Sequence, residues 1–114
     1  MSELQGIARW QIHADELEEF KRLSARCLEI VRTEDTGTLQ YETYFNDDES
    51  ECIVLERFRD SDALILHGQN MAPLMESIMA TGTVSGELLG DLSEELRAQM
   101  SDSPVGLFTL YQAL

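Results

Sequence analysis

The sequence has 114 residues, 43% hydrophobic and 26% charged, which is typical of one globular domain spanning residues 1–114. Its 22 acidic and 8 basic side chains give a net charge of −14, which disfavours nucleic acids and anionic membranes as partners. No apolar run is long enough to span a bilayer, and the N-terminus does not resemble a secretory signal peptide. We therefore expect a cytoplasmic protein in which Cys27 and Cys52 are buried and form no disulfide.

The chain begins with a predicted strand at residues 3–12, whose side chains alternate between two different faces. The apolar face comprises Leu4, Ala8, Trp10 and Ile12. The mixed face comprises Gln5, Ile7, Arg9 and Gln11. A helix follows; we expect Asp15 and Glu18 to form a capping box at its start, and the helix to end before Gly37. Its predicted buried stripe consists of six side chains at helical spacing: Leu17, Phe20, Leu23, Cys27, Leu28 and Val31.

Residues 38–46 and 51–59 are predicted to form a hairpin around a polar turn at 47–50. A turn at this position pairs odd-numbered residues of the first strand with even-numbered residues of the second. One face of the hairpin then carries Glu56 together with Tyr41 and Phe58. The other face mixes polar and apolar side chains, which are Gln40, Glu42, Tyr44, Ile53, Leu55 and Arg57.

The second helix is expected to begin at a cap that starts with Asp60 and to continue to His67. Gly68 and Pro73 both disfavour a single straight helix here. Asn70 can act as the N-cap of a second helical piece, which would leave Pro73 in a first turn, where its missing N–H is harmless. The sequence therefore predicts two helical pieces separated near Gly68.

Three more elements are predicted: a strand at about 82–90, a short helix at about 93–101 and a last strand at 104–112. The order is that of a ferredoxin-like βαββαβ α+β domain with an antiparallel sheet and a C-terminal α-β addition. Helices cover one sheet face only, whereas the second face still carries Ile7, Tyr44, Ile53 and Leu55. A half-apolar face usually meets a partner, so we predict a homodimer that joins two sheet faces, helped by the C-terminal strand.

Two segments carry a resemblance to a known family. Residues 34–42 read EDTGTLQYE, similar to the pattern E-P-G-T-L-x-Y-E, and residues 55–67 read LERFRDSDALILH, similar to E-x-[WYF]-x-D-x-x-A-L-x-x-H. Both patterns are those of the antibiotic biosynthesis monooxygenase (ABM) family. Residues 86–97 resemble a subgroup of that family with an added helix and strand. The resemblance covers roughly residues 5–112.

The resemblance implies a dimeric α+β barrel and a range of activities. Some members of the family oxidise quinol-like or polyketide aromatic molecules with O₂ and no cofactor, while others degrade haem, isomerise small metabolites or have no known activity. The resemblance thus implies a cofactor-independent monooxygenase that acts on a small aromatic molecule. The sequence itself contains no metal-ligand cluster. Two alternatives stay open: a non-catalytic homodimer that binds a small molecule or is structural, and a non-oxidative isomerase.

His67 is the candidate general base, because it falls on the inner stripe of its helix with Leu64 and Met71. It would take a phenolic or hydroxyl proton and leave an electron-rich anion that passes an electron to O₂. Glu56 is expected to orient the imidazole and to stabilise its charge. The alternative for His67 is a histidine whose hydrogen bonds are satisfied within the core.

Five polar side chains of the second sheet face are candidates for substrate binding: Arg9, Gln11, Glu42, Tyr44 and Arg57. An arginine here can hold an enolate or carboxylate through bidentate contacts. An equally open alternative is that these side chains form a hydrogen-bond network between the two subunits of the dimer.

Overall fold

The computed structural model describes residues 2–114, which form five strands and three helices. The strands are β1 (Leu4–Ile12), β2 (Thr38–Phe45), β3 (Glu51–Phe58), β4 (Gly82–Leu89) and β5 (Gly106–Phe108). The helices are α1 (Leu17–Glu34), α2 (Ser61–Met79) and α3 (Glu94–Gln99). This is the predicted ferredoxin-like βαββαβ order with a C-terminal helix and strand. Within the described part of the chain, no helix is both long and apolar enough to cross a membrane.

The five strands form one sheet in the order β2-β3-β1-β4-β5. The first four strands pair antiparallel, but β5 pairs parallel with β4, so the prediction of a wholly antiparallel sheet is wrong at its last strand. The connection through α3 brings the chain back to the level of Glu87, so β5 runs beside the last residues of β4 in the same direction. β5 is also shorter than the predicted strand at 104–112.

The core lies between one face of this sheet and the two long helices. It is built mainly from the predicted apolar faces of β1 and β3 and from the stripes of α1 and α2: Trp10, Phe20, Leu23, Cys27, Cys52, Val54, Met71, Leu74 and Ile78. Both cysteines are buried and free, as expected. One stripe residue, Leu28, is instead exposed, and Ile30 packs against the core.

The start of α1 differs from the prediction. The helix begins at Leu17 with Glu16 at the N-cap position, and among the described residues Glu16 makes no side-chain capping hydrogen bond. The Glu16 N–H instead donates to the carbonyl of His13 in a preceding turn. Asp15 therefore lies one residue too early to cap the helix, and the predicted capping box with Glu18 is wrong.

The second helix is one continuous element, so the predicted break near Gly68 is also wrong. Its start is as expected, because the Asp60 carboxylate accepts a hydrogen bond from the Ala63 N–H at 2.9 Å. Buried side chains continue along one stripe on both sides of the expected break: Ala63, His67, Met71, Leu74 and Ile78. Packing of this stripe outweighs the low helix propensities of Gly68 and Pro73.

Candidate active site

The hairpin and α2 bring Glu56 and His67 together on the inner side of the sheet. The register pairs Glu56 with Tyr41 on β2 and with Gly6 on β1, which confirms the predicted odd-to-even matching. A Cβ on Gly6 would lie 3.4 Å from Glu56 Oε1, so a glycine here leaves room for the carboxyl group. His67 lies on the buried stripe of α2, as predicted, and its side chain is only 10% exposed.

The imidazole of His67 is held by a buried carboxylate. His67 Nδ1 lies 2.7 Å from Asp35 Oδ2, and the Asp35 side chain is only 1% exposed. Asp35 is the C-cap residue of α1, with an extended backbone that leads into β2. This contact therefore ties the end of one helix to the middle of the other, and it fixes the orientation of the imidazole ring.

Two further side chains donate hydrogen bonds to Asp35. Asn70 Nδ2, one turn beyond His67 on α2, donates to Oδ1 at 2.8 Å, and Thr38 Oγ1 donates to Oδ2 at 2.7 Å. Burial raises the pKa of Asp35, but the hydrogen bonds from Asn70, Thr38 and His67 outweigh burial and bring the pKa below its ordinary value. Asp35 is therefore an ionised hydrogen-bond acceptor at neutral pH.

Glu56 approaches the opposite nitrogen of the ring. Its Oε1 lies 3.8 Å from His67 Nε2, which is too long for a hydrogen bond. Burial raises the pKa of Glu56; the nearby His67 ring opposes this shift, and the Asp35 carboxylate adds to it. The imidazole thus lies between two carboxyl groups of different character: Asp35 is hydrogen-bonded and its pKa is lowered, while burial raises the pKa of Glu56.

A cavity of about 190 Å³ opens beside this pair, between the sheet and the helices. Glu56, His67 and Tyr41 line it, and most of the remaining wall is apolar, including Trp10, Phe20, Val54, Met71 and Ile78. Its mouth is formed by exposed lining residues: Met75 is 40% exposed, Met79 49% and Val84 36%. Polar groups that converge on a largely apolar cavity are the usual form of a small-molecule site.

Two aromatic rings pack around His67 and reinforce its apolar setting. The centroid of Tyr41 lies 5.8 Å from that of the imidazole, and the centroid of Phe58 lies 5.2 Å away. Burial, together with the neighbouring Cys27 and Glu56, raises the pKa of Tyr41 well above its ordinary value, so its hydroxyl stays protonated. Tyr41 therefore contributes a neutral hydroxyl group to the wall of the cavity.

The structure does not bring the five predicted substrate-binding residues into this cavity. They lie on the outer sheet face, where Arg9 and Gln11 line a separate groove of about 280 Å³. Arg9 Nε lies 3.5 Å from Glu87 Oε1, and Arg57 Nη1 donates to Glu3 at 2.9 Å. Glu42 Oε1 accepts from Tyr44 Oη and from Gln40 Nε2, at 2.7 Å each. These ion pairs and hydrogen bonds form a polar network across the outer sheet face.

Asp35, Asn70 and Thr38 belong to the site, yet the sequence prediction gave none of them a role in it. Asn70 was expected to cap a helix, and its amide is instead committed to Asp35. One signal was available: Asp35 lies at the C-terminal end of α1, where the helix dipole disfavours a carboxylate. An acidic residue at that position needs donors from another element.

Among residues 2–114 there is no cluster of three or more His, Cys, Asp or Glu side chains arranged to hold a metal ion. Asp35, His67 and Glu56 are arranged around one imidazole ring, with the two carboxyl groups on its opposite nitrogens. This arrangement resembles that of a general base with an orienting carboxylate.

Several solved structures share this fold. MupZ from Pseudomonas fluorescens aligns over 98% of this chain and 88% of its own, with 23% identity and a TM-score of 0.86. Rv0793 from Mycobacterium tuberculosis aligns over 82% of this chain and 98% of its own, with 24% identity and a TM-score of 0.72. SnoaB from Streptomyces nogalater, described as a cofactor-independent oxygenase, aligns over 82% and 96%, with 17% identity and a TM-score of 0.70. At these identities the likeness establishes the fold.

No curated protein matches the chain by sequence. The family model for antibiotic biosynthesis monooxygenases does match it, over residues 6–72, which is more than half of its length. That range contains both motif segments and all of Asp35, Glu56 and His67. The chain therefore belongs to the antibiotic biosynthesis monooxygenase family.

Proposed function

We propose that this protein is a cofactor-independent monooxygenase that acts on a small quinol-like or polyketide aromatic molecule. The observation that carries the proposal is the His67 imidazole, which lines a largely apolar cavity and is tied through Nδ1 to Asp35 at 2.7 Å. Membership of a family that includes cofactor-independent oxygenases supports it.

The hydrogen bond to Asp35 decides which nitrogen of His67 can accept a proton. An ionised carboxylate can only accept hydrogen bonds, so Nδ1 must carry the hydrogen. In the neutral ring, Nε2 then holds the lone pair, and Nε2 is the nitrogen on the side of Glu56 and the cavity. His67 is thereby prepared as a general base, and the imidazolium formed by proton transfer is stabilised by Asp35.

Proton removal is the step that such a reaction needs from the protein. When His67 takes the hydroxyl proton from the enol form of an anthrone-type substrate, the resulting enolate is electron-rich enough to pass an electron to O₂. Recombination gives a peroxide at the ring carbon, which takes the proton back from His67 and loses water to leave a ketone. The overall change is CH₂ + O₂ → C=O + H₂O, so the substrate supplies both hydrogens of the water and all the electrons.

The size of the cavity limits what can be enclosed. A cavity of about 150 Å³ is enough to hold benzene, so a cavity of about 190 Å³ accommodates one ring, or a little more. The rest of a larger substrate would extend through the mouth, past the exposed side chains of Met75, Met79 and Val84. We therefore expect a ring that enters the cavity and an apolar extension that lies along its rim.

Oxygen uptake tests the proposal. Purified protein is incubated with a panel of hydroquinones and anthrones, with and without added flavin, and O₂ consumption is recorded beside a His67→Ala variant. We expect uptake without flavin, and a loss of about two to four powers of ten in His67→Ala. Saturable binding without any uptake would instead identify a binding protein or a structural dimer and refute the proposal.

A non-oxidative isomerase is the second candidate, and the placement of Glu56 favours it. A carboxyl group 3.8 Å from the base can return a proton to a neighbouring atom of the same substrate, which moves a double bond without oxidation. Product formation under strictly anaerobic conditions would favour the isomerase, because the oxygenase cannot turn over without O₂.

We also propose that the protein is a homodimer joined through the outer sheet face. Tyr44 is an exposed apolar side chain on this face, and Phe108 and Leu110 are exposed in the C-terminal segment. The network of Arg9, Gln11, Glu42, Tyr44 and Arg57 would then lie at or near the interface, where it can pair subunits or line an enclosed second cavity. Substrate binding by these five residues, like a cytoplasmic location, remains a prediction.

A further inference from the structure

We propose that Glu56 acts as a neutral acid that donates a hydrogen bond to the same substrate oxygen from which His67 removes a proton. The site would then recognise phenols and enols, and it would hold them as their anions. This inference rests on the proposed function for the role of His67 as base, but not for the reaction with O₂.

The spacing of the two groups suits one bridging oxygen atom. Glu56 Oε1 and His67 Nε2 are 3.8 Å apart, too far for direct hydrogen bonding. An oxygen atom that lies about 2.8 Å from each of them can bridge the gap with two hydrogen bonds of ordinary length. Both side chains line the cavity, so a ring hydroxyl that enters it can reach this position.

The surroundings of Glu56 favour the carboxylic acid over the carboxylate. Its side chain is 17% exposed, and among residues 2–114 no side chain donates a hydrogen bond to it; His67 Nε2 lies 3.8 Å away. A buried carboxylate without donors is costly. Asp35 differs in this respect, since it accepts three hydrogen bonds.

Two of the titratable groups around Glu56 carry no charge that would stabilise its carboxylate. Tyr41 on β2 and Cys27 on α1 both line the cavity, and burial raises the pKa of each, so both are neutral at pH 7. On α2 the facing group is His67, whose Nδ1 is already committed to Asp35. In the proposed arrangement before reaction, Asp35 is ionised, Glu56 carries its proton, and Nε2 of His67 faces the substrate oxygen.

This pair performs two linked tasks in the proton-transfer step. The substrate O–H bond breaks, its proton moves to His67 Nε2, and the electron pair stays on the oxygen. The Glu56 O–H donates to that oxygen as its charge develops, while Asp35 stabilises the new imidazolium. A carboxylic acid kept neutral by an apolar site can stabilise an oxyanion in this way. Glu56 therefore contacts the substrate, rather than orienting His67 as the sequence analysis expected.

Binding of 4-nitrophenol tests the inference without requiring turnover, because its anion and its neutral form have different absorption spectra. We expect the pKa of the probe bound to the wild-type protein to be at least about one unit below the pKa of the free probe. Glu56→Gln should keep most of this shift because an amide N–H can still donate. Glu56→Ala and His67→Ala should both lose it. Glu87→Gln, which changes a glutamate on the outer sheet face, is the matched control and should behave as wild type.

Oxygen uptake by the same variants separates this inference from the proposed function. One outcome is that the bound probe ionises at a lowered pKa, that Glu56→Gln keeps this lowering, and that no substrate gives O₂ uptake. This outcome would overturn the proposed oxygenase activity but support the role of Glu56. A second outcome is that Glu56→Gln and Glu56→Ala both abolish O₂ uptake to the same extent while they retain the wild-type unfolding midpoint. This outcome would overturn the role of Glu56. A probe that stays neutral when bound to the wild-type protein would overturn it as well.

Discussion

Removing the carboxylate of Asp35 should destabilise the protein strongly. The Asp35 side chain is 1% exposed and accepts from His67, Asn70 and Thr38. Asp35→Ala leaves three donors without an acceptor, and a buried unsatisfied group costs about 1–3 kcal/mol. Because the three groups relax together, we expect a combined loss of about 3–5 kcal/mol, comparable with breaking a buried ion pair. This is a large share of the roughly 5–15 kcal/mol that stabilises a small domain.

Asp35→Asn separates the shape of this residue from its charge. Its amide oxygen can accept from His67 and Thr38, and its amide N–H can donate to Asn70 once that side chain rotates by half a turn. We therefore expect a loss of only about 1–2 kcal/mol at pH 7. The pKa of Asp35 is lowered in the folded protein, so its charge stabilises the fold fully above the ordinary value of 3.8. That contribution is lost as the pH falls through the folded pKa, so the wild type and Asp35→Asn should converge below pH 3.8.

Urea unfolding at a fixed protein concentration, at pH 7 and again in strong acid, measures these differences. Asp102→Ala is the control, since Asp102 is exposed and its loss should change stability by no more than about 0.5 kcal/mol. An Asp35→Ala variant within about 1 kcal/mol of the wild type at pH 7 would refute the reasoning, because the three hydrogen bonds would then carry almost no weight.

Three further predictions concern other parts of the molecule. Gly68→Ala should stabilise α2 by about 0.5–1 kcal/mol, because nothing lies within 4 Å of the added Cβ. Gly37→Ala should instead lower the free energy of unfolding by about 1–3 kcal/mol, because the added Cβ would lie 2.5 Å from the Cβ of Ala63. Urea unfolding that ranks the two the other way would contradict both. Sedimentation at micromolar concentration should give a dimer that Arg57→Ala weakens, and a wild-type monomer would contradict the proposed interface. Alkyl chains on a quinol ring should improve binding by up to about fourfold per methylene if they lie along Met79 at the rim, whereas equal affinities across the series would exclude that contact.

The sheet could be predicted well from the sequence because its register is set locally. Alternation in β3, with Cys52, Val54 and Phe58 on one side, leaves one way to bury the apolar face, and the short turn fixes the pairing with β2. The break in α2 was predicted wrongly because Gly68 and Pro73 are weak local signals, while the stripe that overrides them packs against distant elements. The direction of β5 depends in the same way on how the chain returns through α3.

The candidate site was predictable only in part, for a similar reason. His67 and Glu56 were identified because each lies on an apolar face of its own element, a property of short-range spacing. Asp35 was missed because it lies 32 residues from His67 along the chain, and the contact forms only when α2 packs against the end of α1. The sequence also directed attention to polar residues of the outer face, whereas the cavity beside His67 lies on the inner one.

The central claim is that Asp35 fixes His67 with its lone pair on Nε2, facing the cavity. Nitrogen-15 NMR of the histidine side chains measures this directly, because protonated and unprotonated ring nitrogens of a neutral imidazole have well-separated chemical shifts. With the ring neutral, we expect His67 to carry its hydrogen on Nδ1 and to leave Nε2 unprotonated. A His67 ring that carries its hydrogen on Nε2 would contradict the claim, since the nitrogen beside Glu56 could then accept no proton from a substrate.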